Sequence, residues 1–174
     1  MNTKPTKKRR SFAAAWIEQP PGEMTGTILN STHAIALANL VVAFEHCEAQ
    51  MYGVLGRLLN VPPHIAGYVL RSIGTHYGRA TLMEQLLQKA PQNAHRSEAF
   101  DEIISEFKSI GSARNKYVHG RWWTNRDTGD TYLAEHEDEL PQFFAPRVVK
   151  DGEIDACTSR IHALMARVIF NPPE

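Results

Sequence analysis

The stretch FKSIGSARNKYVHGRWW (residues 107–123) decides the fold, because a helix ends and an extended segment begins within it. Upstream of the turn, apolar side chains recur at the spacing of one helix face. Arg114 falls at the centre of that face. At about 100° per residue, the side chains within about 60° of Arg114 are Phe100, Ile103, Phe107, Ile110, Tyr117 and Val118. We therefore predict a helix over about 97–118 with an arginine on its buried side.

An arginine on a buried face needs an anionic partner or an opening onto a cleft, because burying an unpaired guanidinium costs on the order of several kcal/mol. Two further charges lie in apolar stripes. Glu48 lies about 40° from Phe44 on a long predicted helix, and Arg79 lies beside Leu82 on a shorter one. We predict that Glu48 is buried and forms an ion pair with Arg79 or Arg114.

Helical periodicity covers most of the chain. The predicted helices are Ser31–Leu59, Pro63–Ser72, about 78–90, about 97–118 and about Glu153–Phe170, with Ser31 and Thr32 as the first N-cap. RWWTNRDTGDTYLAEH (121–136) has the turn signature of a hairpin, and FFAPRVV (143–149) adds a short extended piece. The sequence thus predicts an all-α, up-and-down bundle of four to five helices, with a short β-hairpin inserted before the last helix.

The first ten residues and the rest of the chain differ in charge. Residues 1–10 contain five Lys or Arg and no acid, so we predict a disordered basic tail, followed by a single domain over 11–174 with a net charge of −5. The tail either adds salt-sensitive affinity for nucleic acid or is simply solvated. QPPGEMTG (19–26) is predicted to be a loop after a short helix.

Several classes of protein are disfavoured. No apolar run is long enough to cross a membrane, and the apolar N-terminal stretch is too short for a signal peptide. Cys47 and Cys157 lie far apart on apolar helix faces, which indicates buried free thiols in a reducing compartment and favours the cytoplasm. The sequence contains neither paired metal-ligand spacing nor a glycine-rich phosphate loop, so we expect no metal and no cofactor.

The end of the 97–118 helix combines three useful groups. Asn115 and His119 are four residues apart and stack on one side, next to the arc that holds Arg114. Gly120 is expected to be a left-handed residue just past the helix end. A fixed cation, an amide and an imidazole suit phosphodiester chemistry, in which charge must be neutralised and a proton moved.

These residues resemble a known family. Arg114-Asn115-Lys116-Tyr117-Val118-His119 is similar to the R-x(4–6)-H motif of the HEPN superfamily, and the inward Glu48 on a long preceding helix is also similar. The resemblance implies a four-helix up-and-down bundle that dimerises, so that two motifs face each other across a cleft. It also implies metal-independent cleavage of RNA in the active members.

The resemblance assigns roles residue by residue. Arg114 would bind or polarise the scissile phosphate, His119 would act as general base or acid, and Asn115 would orient the histidine or the phosphate. The supporting residues would be Glu48, Arg79, Lys116 and Tyr117. The implied protein is a cytoplasmic endoribonuclease of toxin or defence type, a homodimer acting on RNA, with an antitoxin or regulatory protein as a further partner and no membrane.

Two alternatives stay open. One is a non-catalytic HEPN-like module for dimerisation or partner binding, and the other is a binder of a small anionic ligand such as a nucleotide. Trp122 and Trp123 either stack on bases or divide between core and surface.

Overall fold

The structure, a computed structural model, describes residues 24–26, 29–89, 97–134 and 146–170. Its helices are α1 Ser31–Leu59, α2 Pro63–Ser72, α3 His76–Lys89, α4 Ser97–His119 and α5 Glu153–Phe170. Its strands are β1 Met24–Gly26, β2 Arg121–Asn125, β3 Thr131–Ala134 and β4 Arg147–Val148. The fold is therefore mainly α with a small sheet. The predicted basic tail (1–10) and the short helix before residue 19 lie outside the described residues.

Helix α1 has the predicted bounds, but its N-cap lies one residue before the predicted one. Asn30 is the N-cap, because its Oδ1 accepts a hydrogen bond from the backbone N–H of His33 at 2.8 Å. The prediction of Ser31 and Thr32 as the cap is wrong for this reason. At the other end, Asn60 takes a left-handed conformation with φ of 52°, and Val61 starts the turn into α2.

Helix α3 begins two residues before its predicted start, and a cap explains the difference. Thr75 Oγ1 accepts a hydrogen bond from the Gly78 N–H at 3.1 Å, and the Thr75 carbonyl accepts one from the Arg79 N–H at 3.1 Å. His76 and Arg79 therefore both lie in the first turn of the helix. Because they are three residues apart, they lie on neighbouring parts of one face.

The core forms where α1 packs against α2, α4 and α5, while α4 also contacts α3 and α5. It is built from the apolar stripes that the sequence predicts. The largest fully buried side chains include Leu40, Met51, Leu55, Phe107, Ile110, Ile161 and Leu164. The described helices contain no segment with both the length and the apolar character needed to cross a bilayer.

Both cysteines are buried and free, as predicted. Burial, followed by the negative charge of Glu48, raises the pKa of the Cys47 thiol to about 12. Burial also raises the pKa of Cys157. Neither thiol has the lowered pKa of a reactive cysteine.

The sheet is larger than the predicted hairpin. Strands β2 and β3 do form that hairpin, with Gly129 at a φ of 76° in its turn. The strand order is β1-β2-β3-β4, all antiparallel. Strand β4 confirms the extended piece predicted within 143–149. The prediction of a loop over 19–26 is wrong for residues 24–26, which form strand β1 and pair with β2. Helices α1 to α4 lie between these two strands along the chain.

Candidate functional site

A buried ion pair joins α1 to α3. Glu48 is only 5% exposed, and Arg79 Nη1 lies 2.7 Å from its Oε1 and 2.8 Å from its Oε2. Arg79 Nε also donates to the carbonyl of Ile73 at 3.0 Å. The prediction that Glu48 is buried and paired is confirmed, with Arg79 as its partner.

His76 completes this cluster, and the sequence analysis did not identify it. Its Nε2 lies 2.9 Å from the backbone carbonyl of Phe107, which can only accept, so Nε2 carries the proton and donates. Its Nδ1 faces Glu48 Oε1 at 3.7 Å. His76 thereby ties the first turn of α3 to α4, while Arg79 ties the same turn to α1. The available signal was its position three residues before Arg79, behind a threonine cap.

The carboxylate of this cluster stays ionised. Burial alone would raise the pKa of Glu48, but the nearby His76 imidazole, the two hydrogen bonds from Arg79 and the positive charge of Arg79 together lower it by more, so the net shift is downward. The ionised carboxylate is therefore part of the folded state at neutral pH.

Two phenyl rings and the backbone of α4 pack around His76 and leave no room for a side chain at Gly111. The His76 ring centroid lies 4.3 Å from that of Phe107 and 5.1 Å from that of Phe44, in both cases edge to face. A Cβ atom at Gly111, one turn beyond Phe107, would overlap the imidazole ring. Gly111 is thus required by close approach of the His76 ring.

Arg114 lies over this aromatic cluster. Its guanidinium carbon is 5.4 Å from the centre of the Phe44 ring, a cation–π distance. Its Nε is buried and has no hydrogen-bond partner in the described ranges, while Nη1 donates to Asn115 Oδ1 at 3.1 Å. Within those ranges no carboxylate forms an ion pair with Arg114. Of the two predicted partners of Glu48, Arg114 is therefore the wrong one. The side chain is instead half-buried, with part of its surface exposed to solvent.

Asn115 and His119 are both exposed at the end of α4. The structure brings Asn115 to Arg114 through the hydrogen bond above. His119 is the last residue of α4, five positions after Arg114 and so about 140° around the helix axis. No hydrogen bond joins His119 to Arg114 in the part of the chain that the structure describes. The cation and the imidazole of one chain therefore flank the helix end rather than touch.

Gly120 differs from its prediction. Its φ is not positive, so it is not a left-handed cap. The Gly120 N–H donates to the carbonyl of Lys116 at 3.0 Å, and a Cβ atom would overlap a methyl group of Leu133. The glycine is required because α4 turns directly into β2 against β3.

Tyr117 has a structural role on the other side of α4. Its hydroxyl donates to Glu153 Oε1 at 2.8 Å, and Arg147 Nη2 lies 2.7 Å from the same oxygen. Burial, then the hydrogen bond to Glu153, raises the pKa of Tyr117 to about 12, so the phenol stays protonated. Trp122 Nε1 donates to the Tyr117 carbonyl at 2.9 Å, which fixes this indole against the core.

Trp123 follows Trp122 in β2, so the two side chains point to opposite faces of the sheet. This arrangement favours the division between core and surface over joint stacking on bases. Lys116, the remaining predicted supporting residue, is exposed beside Tyr117.

No cluster of three or more His, Cys, Asp or Glu residues that could hold a metal ion is found among the described residues. No protein-family model, curated protein or solved structure matches the chain. The candidate site is therefore defined by its own geometry, as a half-buried guanidinium and an exposed imidazole on either side of one helix end.

The packing around His76 predicts opposite effects for two glycines. Gly111→Ala should lower the free energy of unfolding by about 1–3 kcal/mol, because the new methyl group displaces the buried imidazole. Gly53→Ala, in α1 with no atom within 4 Å of the added Cβ, should raise it by about 0.5–1 kcal/mol. Urea unfolding of both variants measures this, and equal effects would contradict the packing described.

The buried pair predicts a pH dependence. Because the pKa of Glu48 is lowered by folding, its stabilisation is full above the unfolded pKa of about 4.3 and is lost as pH falls through the folded pKa. Glu48→Gln should therefore cost about 3 kcal/mol at pH 7 and flatten the fall in stability between about pH 5 and pH 3.

The matched control is Glu102→Gln, which removes an exposed ion pair in which Glu102 Oε2 lies 2.7 Å from Arg167 Nη2. We expect it to cost less than about 1 kcal/mol at pH 7. Unfolding curves recorded across pH compare the two variants. A Glu48→Gln protein with wild-type acid sensitivity would show that the carboxylate is not the group that titrates.

Proposed function

We propose that the protein is a metal-independent endoribonuclease of HEPN type, with the toxin or defence role that such enzymes have. In this proposal the helices form an up-and-down bundle, and Arg114, Asn115 and His119 form the catalytic site at a dimer interface. One observation carries the proposal: Arg114 keeps a half-buried guanidinium that no carboxylate pairs with in the described ranges and that is hydrogen-bonded to the exposed Asn115.

Arg114 is suited to bind a phosphate. Its guanidinium lies over the Phe44 ring, where a low local dielectric strengthens the attraction for an anion. The planar guanidinium donates two parallel hydrogen bonds to phosphate oxygens, and these become stronger as negative charge develops in the transition state. Asn115, which already accepts from Nη1, fixes the orientation of the guanidinium.

His119 would transfer the proton. An imidazole removes the proton of the ribose 2′-OH, the 2′-oxygen forms a bond to phosphorus, and the bond from phosphorus to the 5′-oxygen breaks. The leaving 5′-oxygen takes a proton from a general acid. The products are a 2′,3′-cyclic phosphate and a free 5′-hydroxyl, so no metal ion or cofactor takes part.

A single chain supplies one imidazole, whereas this reaction uses both a base and an acid. We therefore extend the proposal to a homodimer with residues 110–120 at or beside the interface, so that two His119 side chains face one substrate. The exposure of His119 supports this arrangement. The two free thiols support a reducing compartment, so we further propose a cytoplasmic enzyme that an antitoxin or regulatory protein controls.

The activity is tested by incubating the pure protein with mixed RNA in EDTA. We expect cleavage, a loss of about 10²–10⁴-fold in rate for His119→Ala, and no rescue by Arg114→Lys, which lacks the planar fork. The control is His64→Ala, which removes an exposed histidine at the start of α2 and should leave the rate unchanged.

Two results would contradict this mechanism. One is cleavage at full rate by His119→Ala, and the other is activity that EDTA abolishes and Mg²⁺ restores. Either result would show that the assigned mechanism is wrong, whereas no cleavage by the wild type would favour the non-catalytic module for dimerisation or partner binding.

The dimer is tested separately. Light scattering at micromolar concentration should give twice the chain mass of 19.6 kDa. His119→Cys should form a disulfide between two chains on mild oxidation, because the two residues face each other, whereas His64→Cys should not. A monomeric protein with no cross-linking at His119 would rule out the shared site.

A further inference from the structure

A groove of about 420 Å³ lies beside the end of α4, between α4, α5 and strand β4. Every charged side chain that lines it is basic, and three hydroxyl groups lie among them. The polar lining consists of Ser109, Ser112, Lys116, Tyr117, Arg147 and Arg160. Such a lining attracts an anion with several oxygens rather than an apolar ligand.

Acidic residues outside the lining hold two of these cations in place. Arg160 Nε and Nη2 both lie 3.0 Å from Glu106 Oε1, and Nη2 also donates to Ser109 Oγ at 2.8 Å. Arg147 is held in the same way by Glu153 at 2.7 Å. The guanidinium groups are therefore preorganised, which reduces the entropy lost when a ligand binds.

Arg160 keeps donors for a ligand. A guanidinium has five N–H groups, and the contacts above use Nε and Nη2. The two N–H groups on Nη1 have no partner in the described ranges, and the side chain is 45% exposed. The exposed Ser112 offers a further donor one turn along α4 from Ser109.

The groove leads to His119. Ser112, Lys116 and His119 follow one another at intervals of four and three residues, so they lie along one face of α4. His119 is about 4.5 Å beyond Lys116 along the helix axis. A strand that continues from the groove along this face would meet the imidazole of His119.

We propose that this groove binds the phosphates of single-stranded RNA on one side of the cleaved bond. The inference rests on the proposed ribonuclease function for the identity of the polymer. Cations spread along an open groove match the repeated charges of a nucleic-acid backbone, which gives affinity without base recognition.

The probe is a fluorescent single-stranded 2′-O-methyl oligonucleotide, which has no 2′-OH and so is not cleaved by the proposed mechanism. Binding is measured by anisotropy across salt concentrations. Arg160→Gln and Ser112→Glu should each weaken binding by roughly tenfold, and Arg160→Gln should reduce the salt slope by about 1. Ser112→Glu changes an exposed helical position and keeps the test valid if loss of the Glu106 contact unfolds Arg160→Gln.

The control is Arg57→Gln, which removes the same charge near the end of α1, about 20 Å along that helix from Phe44. It should bind like the wild type. If Arg160→Gln and Ser112→Glu also bind like the wild type, the groove proposal is overturned, even where His119→Ala abolishes cleavage. If both variants bind more weakly but the wild-type protein cuts no RNA, the groove is supported and the ribonuclease is refuted. Equal competition by adenosine monophosphate would overturn the assignment to a polymer.

Discussion

The ion pair buried between Glu48 and Arg79 is the constraint on which the helical arrangement depends. A carboxylate inside an apolar stripe of α1 must be neutralised, and the guanidinium that neutralises it lies in the first turn of α3. The threonine cap at Thr75 fixes where that turn begins. From the same turn His76 reaches the backbone of α4, so that one short segment aligns three helices.

The same pair leaves Arg114 available for a ligand. Arg79 Nη1 contacts both oxygens of Glu48, so the cluster already has a cation in direct contact with each carboxylate oxygen. Arg114 lies over the Phe44 ring, 5.4 Å from its centre, and the His76 ring contacts the same phenyl ring at a centroid distance of 5.1 Å. Its charge is therefore supported by an aromatic ring and by Asn115 instead of by an acid. An anionic ligand could therefore bind to Arg114 as its negatively charged partner.

The helices could be predicted from the sequence because their apolar side chains repeat every three to four residues. The exact ends of the helices could not be predicted, since the caps at Asn30 and Thr75 depend on local hydrogen bonds that several residues could make. Two arginines lay in apolar stripes, and periodicity alone gave no means of choosing the partner of Glu48. His76 was missed because its acceptor is a backbone carbonyl 31 residues away, which leaves no side-chain signal. The pairing of β1 was missed because strands so distant in sequence share no local pattern.

Strand β1 has a consequence for how the protein behaves in solution. In the order β1-β2-β3-β4, its three residues cover the outer edge of β2, the strand that carries Trp122 and Trp123. Without Met24–Gly26, β2 would present unpaired backbone donors and acceptors next to two large aromatic rings, a template for self-association. The short segment before α1 thus protects against aggregation, and a chain shortened past Gly26 would lose solubility before it lost its helical core.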